Sequence, residues 1–275
     1  MSEFGSGGRA GQPLFYTMKS SKPTILVTND DGIASPGIRV LIDEMREIGD
    51  VTVLAPDKPQ SGTGHSITLD EPLRLNELKT DGSYREYSCS GTPVDCVKMA
   101  VNVVLHRKPD LLVSGINHGS NSSINVIYSG TMSAALEGAL DGIPSIGFSL
   151  LNHKLDADFS AARKYVARFA KLALKKGMPK GCCLNINIPD LKEKQIKGVK
   201  VCRQANANWK EEFDIRTDPF GRKYYWLTGV FKNYDKGNDT DEWALANGYV
   251  SIVPVQYDVT AHHAIAEIND WNYER

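Results

Sequence analysis

The chain has 275 residues, 41% of them hydrophobic and 24% charged, which is a globular composition and argues against a disordered or fibrous protein. At ~150 residues per domain, that length suggests one large domain or a domain with an added lobe. The 32 Lys+Arg against 33 Asp+Glu leave a net charge of -1, which argues against a general nucleic-acid binder but leaves room for a local anion pocket.

No window approaches the ~18 consecutive apolar residues of a membrane span. The five cysteines are odd in number, Cys182 and Cys183 are adjacent, and there is no Cys-x-x-Cys pair. That pattern fits free thiols in a reducing, cytoplasmic setting better than a disulfide framework or a structural zinc site. Residues 1–17 are rich in Gly and Ser and lack the apolar core of a signal peptide. They read as a foreign leader that includes a linker-like Glu3–Gly8 stretch, with the natural chain starting at Met18.

In chain order, Thr24–Thr28 is a β-branched apolar run and reads as a buried strand. A helix then opens at Ser35-Pro36, with Ser35 as N-cap. It carries Ile38, Leu41, Ile42, Met45 and Ile48 at helical spacing and stops at Gly49. Val51–Ala55 is the second strand, so the first unit is strand–helix–strand with a right-handed crossover. The stretch from Glu71 to Ser90 suits antiparallel edge strands. A helix capped by Thr92 and Asp95 follows, then a strand over Leu111–Ser114 and a polar loop through Gly130.

Met132–Leu140 reads as a helix of small residues, Pro144–Ser149 as a strand, Asp158–Lys176 as a long amphipathic helix and Leu184–Ile188 as a strand. The alternation predicts an α/β fold with a doubly wound, mostly parallel sheet. Beyond Lys200 the character changes. Tyr224–Leu227 and Val250–Val253 look like antiparallel hairpin material, separated by a polar Asn233–Asp241 segment. The organisation expected is a catalytic domain over 18–200 and a C-terminal arm and oligomerisation region over 201–275, partly returning to the core.

In open α/β sheets, ligands bind beyond the carboxyl ends of the strands. Asn29-Asp30-Asp31-Gly32, Asp57 through His65, and Gly115 through Gly130 all fall there. Adjacent Asp30 and Asp31 repel each other in a confined cleft, and a divalent cation relieves that. Hard cations take oxygen ligands, which Ser61 and Asn117 could add. The competing reading is an Asx-turn at Asp30 or Asp31.

Asn117, Gly119, Asn121 and Ser129-Gly130-Thr131 form a second constellation, in which glycines and a helix N-terminus suit a phosphate. Ser129 or Thr131 also serves as a helix cap in the plainer reading. Neither a Gly-x-x-x-x-Gly-Lys-[Ser/Thr] loop nor a Gly-x-Gly-x-x-Gly after the first strand occurs, which counts against triphosphate and dinucleotide cofactors. His65 and His118 are candidates for an acid–base group or a ligand, against the commoner role of a hydrogen-bonding surface histidine. The Tyr224–Trp226 aromatics read first as packing and second as a stacking surface for a base.

Several of these motifs, in this order, resemble the SurE family of stationary-phase survival nucleotidases. They are Ile25–Ile33, Ala55-Pro56-Asp57 with Ser61–Thr68, Gly91–Val97, Ser114–Asn121, Tyr128–Thr131 and Gly248–Pro254. The resemblance runs from about Thr24 to about His262. It implies a Rossmann-like domain whose C-terminal arm is exchanged between subunits of a homodimer, or of a tetramer built from dimers. It also implies a metal-dependent phosphomonoesterase acting on nucleoside 5′-monophosphates, with 3′-monophosphates and short polyphosphate as further substrates.

The family's metal ligands fall on Asp30, Asp31, Ser61 and Asn117, for one divalent cation, Mg²⁺ or Mn²⁺. Asp30 or Asp31 is then the base or nucleophile, Asn121 and Ser129–Thr131 hold phosphate oxygens, and His65 is an acid–base candidate. The Asn206–Asp241 region does not align with family landmarks. A non-hydrolytic nucleotide- or phosphate-sensing module is the alternative, and it would need no metal.

Overall fold

The computed structural model describes residues 22–271. The leader expected over 1–17 and the natural start at Met18 lie outside the described residues.

Strand β1 (Thr24–Thr28) is buried along its whole length, as a β-branched run between two layers must be. Helix α1 (Pro36–Arg46) turns Ile38, Leu41, Ile42 and Met45 into the core, each contributing roughly 1.5–3 kcal/mol by burial. The expected N-cap holds and the expected stop at Gly49 is corrected. Ser35 stands at the N-cap but makes no side-chain cap bond; its hydroxyl instead accepts from Asn29 Nδ2 at 2.9 Å. The helix ends at Arg46, three residues before Gly49. Gly49 is there for space, because a Cβ would stand 2.3 Å from the Pro23 carbonyl oxygen.

Strand β2 (Asp50–Pro56) pairs parallel to β1. The Glu71–Ser90 stretch forms an antiparallel pair, β3 (Leu75–Asp81) and β4 (Tyr84–Cys89), with a bulge between Glu77 and Lys79. Helix α2 (Pro93–Met99) starts with a reciprocal capping box between Thr92 and Asp95 and runs on as a wider π turn over Ala100–Leu105.

Strand β5 (Leu111–His118) is longer than expected and carries Asn117 and His118 on the strand itself. Its register against β6 (Ser145–Leu150) shifts between Ser114 and Asn117. Gly115 permits this, with a φ of 126° and a position where a Cβ would lie 2.3 Å from the Phe148 carbonyl oxygen. Helix α3 (Gly130–Leu140) begins two residues earlier than expected, because Ser129 is its cap.

Helix α4 (Ser160–Lys176) and strands β7 (Cys182–Ile188) and β8 (Gly198–Val201) follow. Strands β9 (Ala207–Thr217) and β10 (Lys223–Asn233) come next, then α5 (Asp241–Ala246), β11 (Tyr249–Gln256) and the short α6 (Ile265–Asn269).

The main sheet has nine strands in the order β3-β4-β2-β1-β5-β6-β7-β11-β8. Its interior pairs from β4 through β7 are parallel; β3 pairs antiparallel with β4, and β11 with β7. The α/β expectation therefore holds. Tyr224–Leu227 and Val250–Val253 do not pair with each other. The first sits in β10, paired with β9 in a separate two-stranded ribbon; the second sits in β11, between β7 and β8. The physical reason is visible in burial: Val250, Ser251, Ile252 and Val253 are all buried, as an interior strand requires.

One apolar cluster packs α1 and α4 against one face of the sheet, and α2 and α3 cover the other. Among the described residues, all five cysteines are free, and no helix is long and apolar enough to cross a membrane.

Candidate functional site

The strand order runs outward in opposite directions from the β1–β5 pair. This is the point in an open α/β sheet where the loops diverge and leave a crevice. Asp30 and Asp31 follow β1, and Asn117 rides on the end of β5. The loop after β2 is drawn in by the amide of Gln60, which donates to the Asp30 carbonyl at 2.7 Å, and so brings up Ser61. A cavity of about 530 Å³ opens here, with Asp30, Ser61, Asn117, Asn121 and Ser129 in its wall.

Asp30 is 3% exposed and accepts from the Thr131 hydroxyl at 2.5 Å. Burial first, and the neighbouring Asp31 charge second, push its carboxyl up to about 6. Asp31 accepts from the His118 amide at 3.1 Å and faces an adjoining cavity with Asp57, His118 and His153. Its carboxyl is raised mainly by burial; the His118 hydrogen bond and the nearby His118 and His153 rings oppose that.

Gly130 makes the junction between Asp30 and α3 possible, because a Cβ there would stand 2.6 Å from the Asp30 Cβ. Ser129 caps α3, accepting from the Met132 amide at 3.0 Å, and still lines the cavity. Gly130 and Thr131 are buried behind it, with the Thr131 hydroxyl committed to Asp30.

Asn121 is fixed on three sides. Its Nδ2 donates to Ser149 Oγ at 2.9 Å, its amide to Asn187 Oδ1 at 2.8 Å, and its carbonyl accepts from Asn185 Nδ2 at 2.7 Å. Asn117 donates Nδ2 to the Gly119 carbonyl at 2.8 Å, so Oδ1 is the end of its amide left to accept a cation or a donor.

The two candidate histidines divide: His118 lines the cavity and His65 does not. The His65 Nε2 meets Glu137 Oε2 at 2.9 Å, and Lys98 reaches the other oxygen of that buried carboxylate. His118 places Nδ1 against the Lys154 carbonyl at 3.0 Å and its ring edge-on to Phe159 at 5.2 Å.

Several wall residues carry no clear signal in the sequence. His153 lies after β6, while Trp209, Phe231 and Glu242 come from the C-terminal third. Glu242 accepts from the Ser122 hydroxyl, and its carboxyl is raised mainly by burial. Its neighbour Asp241 is 1% exposed and ties the first half to the last, accepting from the Ser123 amide at 2.7 Å and the Ala205 amide at 2.9 Å. The only local signal for these two was the Thr240-Asp241-Glu242 helix start, with Thr240 capping α5.

The model of the family described as survival protein SurE matches residues 25–211. The chain belongs to the SurE family. It is 63% identical to the 5′-nucleotidase SurE of Christiangramia forsetii, over 93% of this chain and 99% of that protein. It is 60% identical to the 5′-nucleotidase SurE of Flavobacterium psychrophilum, over 93% of this chain and all of that protein. The crystal structure of the SurE protein from Aquifex aeolicus superposes with a TM-score of 0.78 at 41% identity, covering 90% of this chain and 98% of that one. The SurE match takes in Asp30, Asp31, Ser61, Asn117, Asn121 and Ser129–Thr131.

Proposed function

We propose that this SurE chain hydrolyses nucleoside 5′-monophosphates in a reaction that depends on one divalent cation, Mg²⁺ or Mn²⁺. One observation carries the proposal. Two adjacent carboxylates, one of them buried, stand at the sheet's switch point beside uncharged oxygen donors and a helix N-terminus. Two nucleotidases of the same family, at 63% and 60% identity, support the substrate class.

The residues present fit a hard cation. Asp30 and Asp31 would supply two carboxylates, and Ser61 and Asn117 neutral oxygens, which is the all-oxygen donor chemistry such a cation takes. Asn29 Oδ1, directly before the pair, is buried without a hydrogen-bond partner. A cation held by these residues would supply charge neutralisation at a phosphate oxygen.

The chain's own groups do the rest. Asp30, held by Thr131, or Asp31, held by the His118 amide, accepts the proton of the attacking water or attacks phosphorus directly. Ser129 and Asn121, both in the cavity wall, with the Gly130 amide behind Ser129 at the start of α3, hold the other phosphate oxygens. Since His65 is spent on Glu137, an acid–base role for it requires that pair to open. The same site would take 3′-monophosphates and short polyphosphate, whose terminal phosphate presents the same oxygens.

Within 201–275, the β9–β10 ribbon acts as an arm through which two or four copies assemble, while β11 returns to the core sheet. The ribbon's apolar side chains support this, with Phe213, Tyr225, Trp226 and Leu227 each 58–65% exposed. The five free thiols suit a cytoplasmic setting.

The test is a panel of 5′- and 3′-nucleotides and polyphosphate run with several metals. Release of phosphate that is lost in EDTA and restored by Mg²⁺ or Mn²⁺ supports the enzyme. Nucleotide binding without turnover under every metal supports the sensing module.

A further inference from the structure

We infer that Trp209, braced by Phe231, is the wall on which the base of the substrate stacks. This rests on the nucleotidase reading above and adds the part of the nucleotide that the phosphate site does not touch.

Trp209 and Phe231 face each other as a directly opposed pair across β9 and β10, with ring centroids 5.5 Å apart at 63°. Both line the same cavity as Asp30, Asn117 and Ser129. Trp209 is 43% exposed, so packing alone does not use it up.

Its orientation is nevertheless fixed. Nε1 donates to Asn125 Oδ1 at 2.9 Å, a contact spanning 84 residues of sequence. Asn125 sits in the short 3₁₀ turn Ser123–Ile127, four residues before Ser129. The aromatic wall and the phosphate-binding helix start are thus coupled through one turn.

Because the indole N–H is already spent on Asn125, the ring offers a ligand its π-face and no hydrogen bond. A flat aromatic guest matches that chemistry, and the base is the flat aromatic part of a nucleotide. The volume, about 530 Å³, lies in the range of small-molecule sites. The aromatics that the sequence offered for stacking, Tyr224–Trp226, lie near the start of β10, before Phe231, and outside this cavity. Stacking has no directional readout, so a two-ring purine, with more overlap, binds better than a pyrimidine.

The test compares AMP with ribose 5-phosphate, which carries the same phosphate and sugar without the base, in wild type, Trp209→Ala and Trp209→Phe with Mn²⁺. Losing the stacked face should raise KM for AMP about tenfold more than KM for ribose 5-phosphate. Trp209→Phe, which keeps an aromatic face, should restore most of the difference. A KM for AMP that is unchanged in Trp209→Ala, or equal losses on both substrates, overturns the stacking wall and leaves the phosphatase reading intact. A wild type inert toward both substrates overturns the nucleotidase reading and the wall with it.

Discussion

Thr131, at the start of α3, donates its hydroxyl to Asp30, just after β1, at 2.5 Å and across 101 residues of sequence. Both residues are buried, Thr131 completely. One bond therefore ties a carboxylate at the sheet's edge to the start of α3, the helix proposed to hold phosphate. Hydrogen bonds to charged groups are worth about 1.5–3 kcal/mol. Thr131→Val keeps the shape and removes the donor, so kcat/KM for AMP should fall by about 10- to 100-fold. Steady-state kinetics at saturating Mn²⁺ measures this, and an unchanged kcat/KM would show that Thr131 does not position Asp30.

Gly130 tests the same junction sterically. A Cβ at this position meets the Asp30 Cβ at 2.6 Å and the Pro93 Cγ at 3.1 Å. Neither neighbour is the free end of a flexible chain, so the helix start or Asp30 must shift. Gly130→Ala should destabilise by about 1–3 kcal/mol, the usual range for overpacking, and should reduce turnover by more than Tm alone explains. Thermal melts and kcat measured side by side check both parts.

Glu137, on α3, joins the loop that follows β2 to helix α2. Its buried carboxylate accepts from His65, in the loop that carries Ser61, and from Lys98 on α2. His65 first, and then Lys98, hold that carboxyl below its ordinary value of 4.5. A carboxylate depressed by folding lends stability that is complete above the unfolded value and is lost as pH falls through the folded one. Glu137→Gln should therefore melt lower than wild type at pH 7, by about 1–3 kcal/mol. The gap should narrow below pH 4.5. Two Tm–pH curves that stay parallel down to pH 3 would show that the carboxylate's charge contributes nothing to folding.

The parts legible in the sequence share a physical cause: they depend on neighbours in the chain. Thr24–Thr28 announces a buried strand because its apolar run is unbroken, and Ile38, Leu41, Ile42 and Met45 announce a helix by their spacing. Asp30, Ser61 and Asn117 could be placed together because a parallel sheet puts all its strand ends on one edge.

What stayed hidden depends on distant contacts. The Gly115 bulge that extends β5 is set by the Phe148 carbonyl, and α5 is only six residues long, too short to show a period. His65 looks like any loop histidine until α3 brings Glu137 to it, 72 residues away. Trp209 looks like ribbon packing until Asn125 holds its indole.

The pairing of Asp30 with Asp31 makes function and stability oppose each other in a way that metal removal exposes. In the metal-free protein, burial and the Asp31 charge both disfavour the ionised Asp30. Asp30→Asn removes that repulsion and keeps a similar shape. The variant should therefore melt at or above the wild-type Tm in EDTA, yet be inactive toward p-nitrophenyl phosphate with Mn²⁺ restored. A cation that binds only the folded state stabilises it by about 2.7 kcal/mol at one hundred times its Kd. Wild type should thus gain several degrees of Tm on adding Mn²⁺, and Asp30→Asn should gain little. Calorimetry of the two proteins with and without Mn²⁺ reads this without any substrate. Equal Mn²⁺-induced shifts in both would place the cation away from Asp30, and full turnover by Asp30→Asn would remove Asp30 from the chemistry.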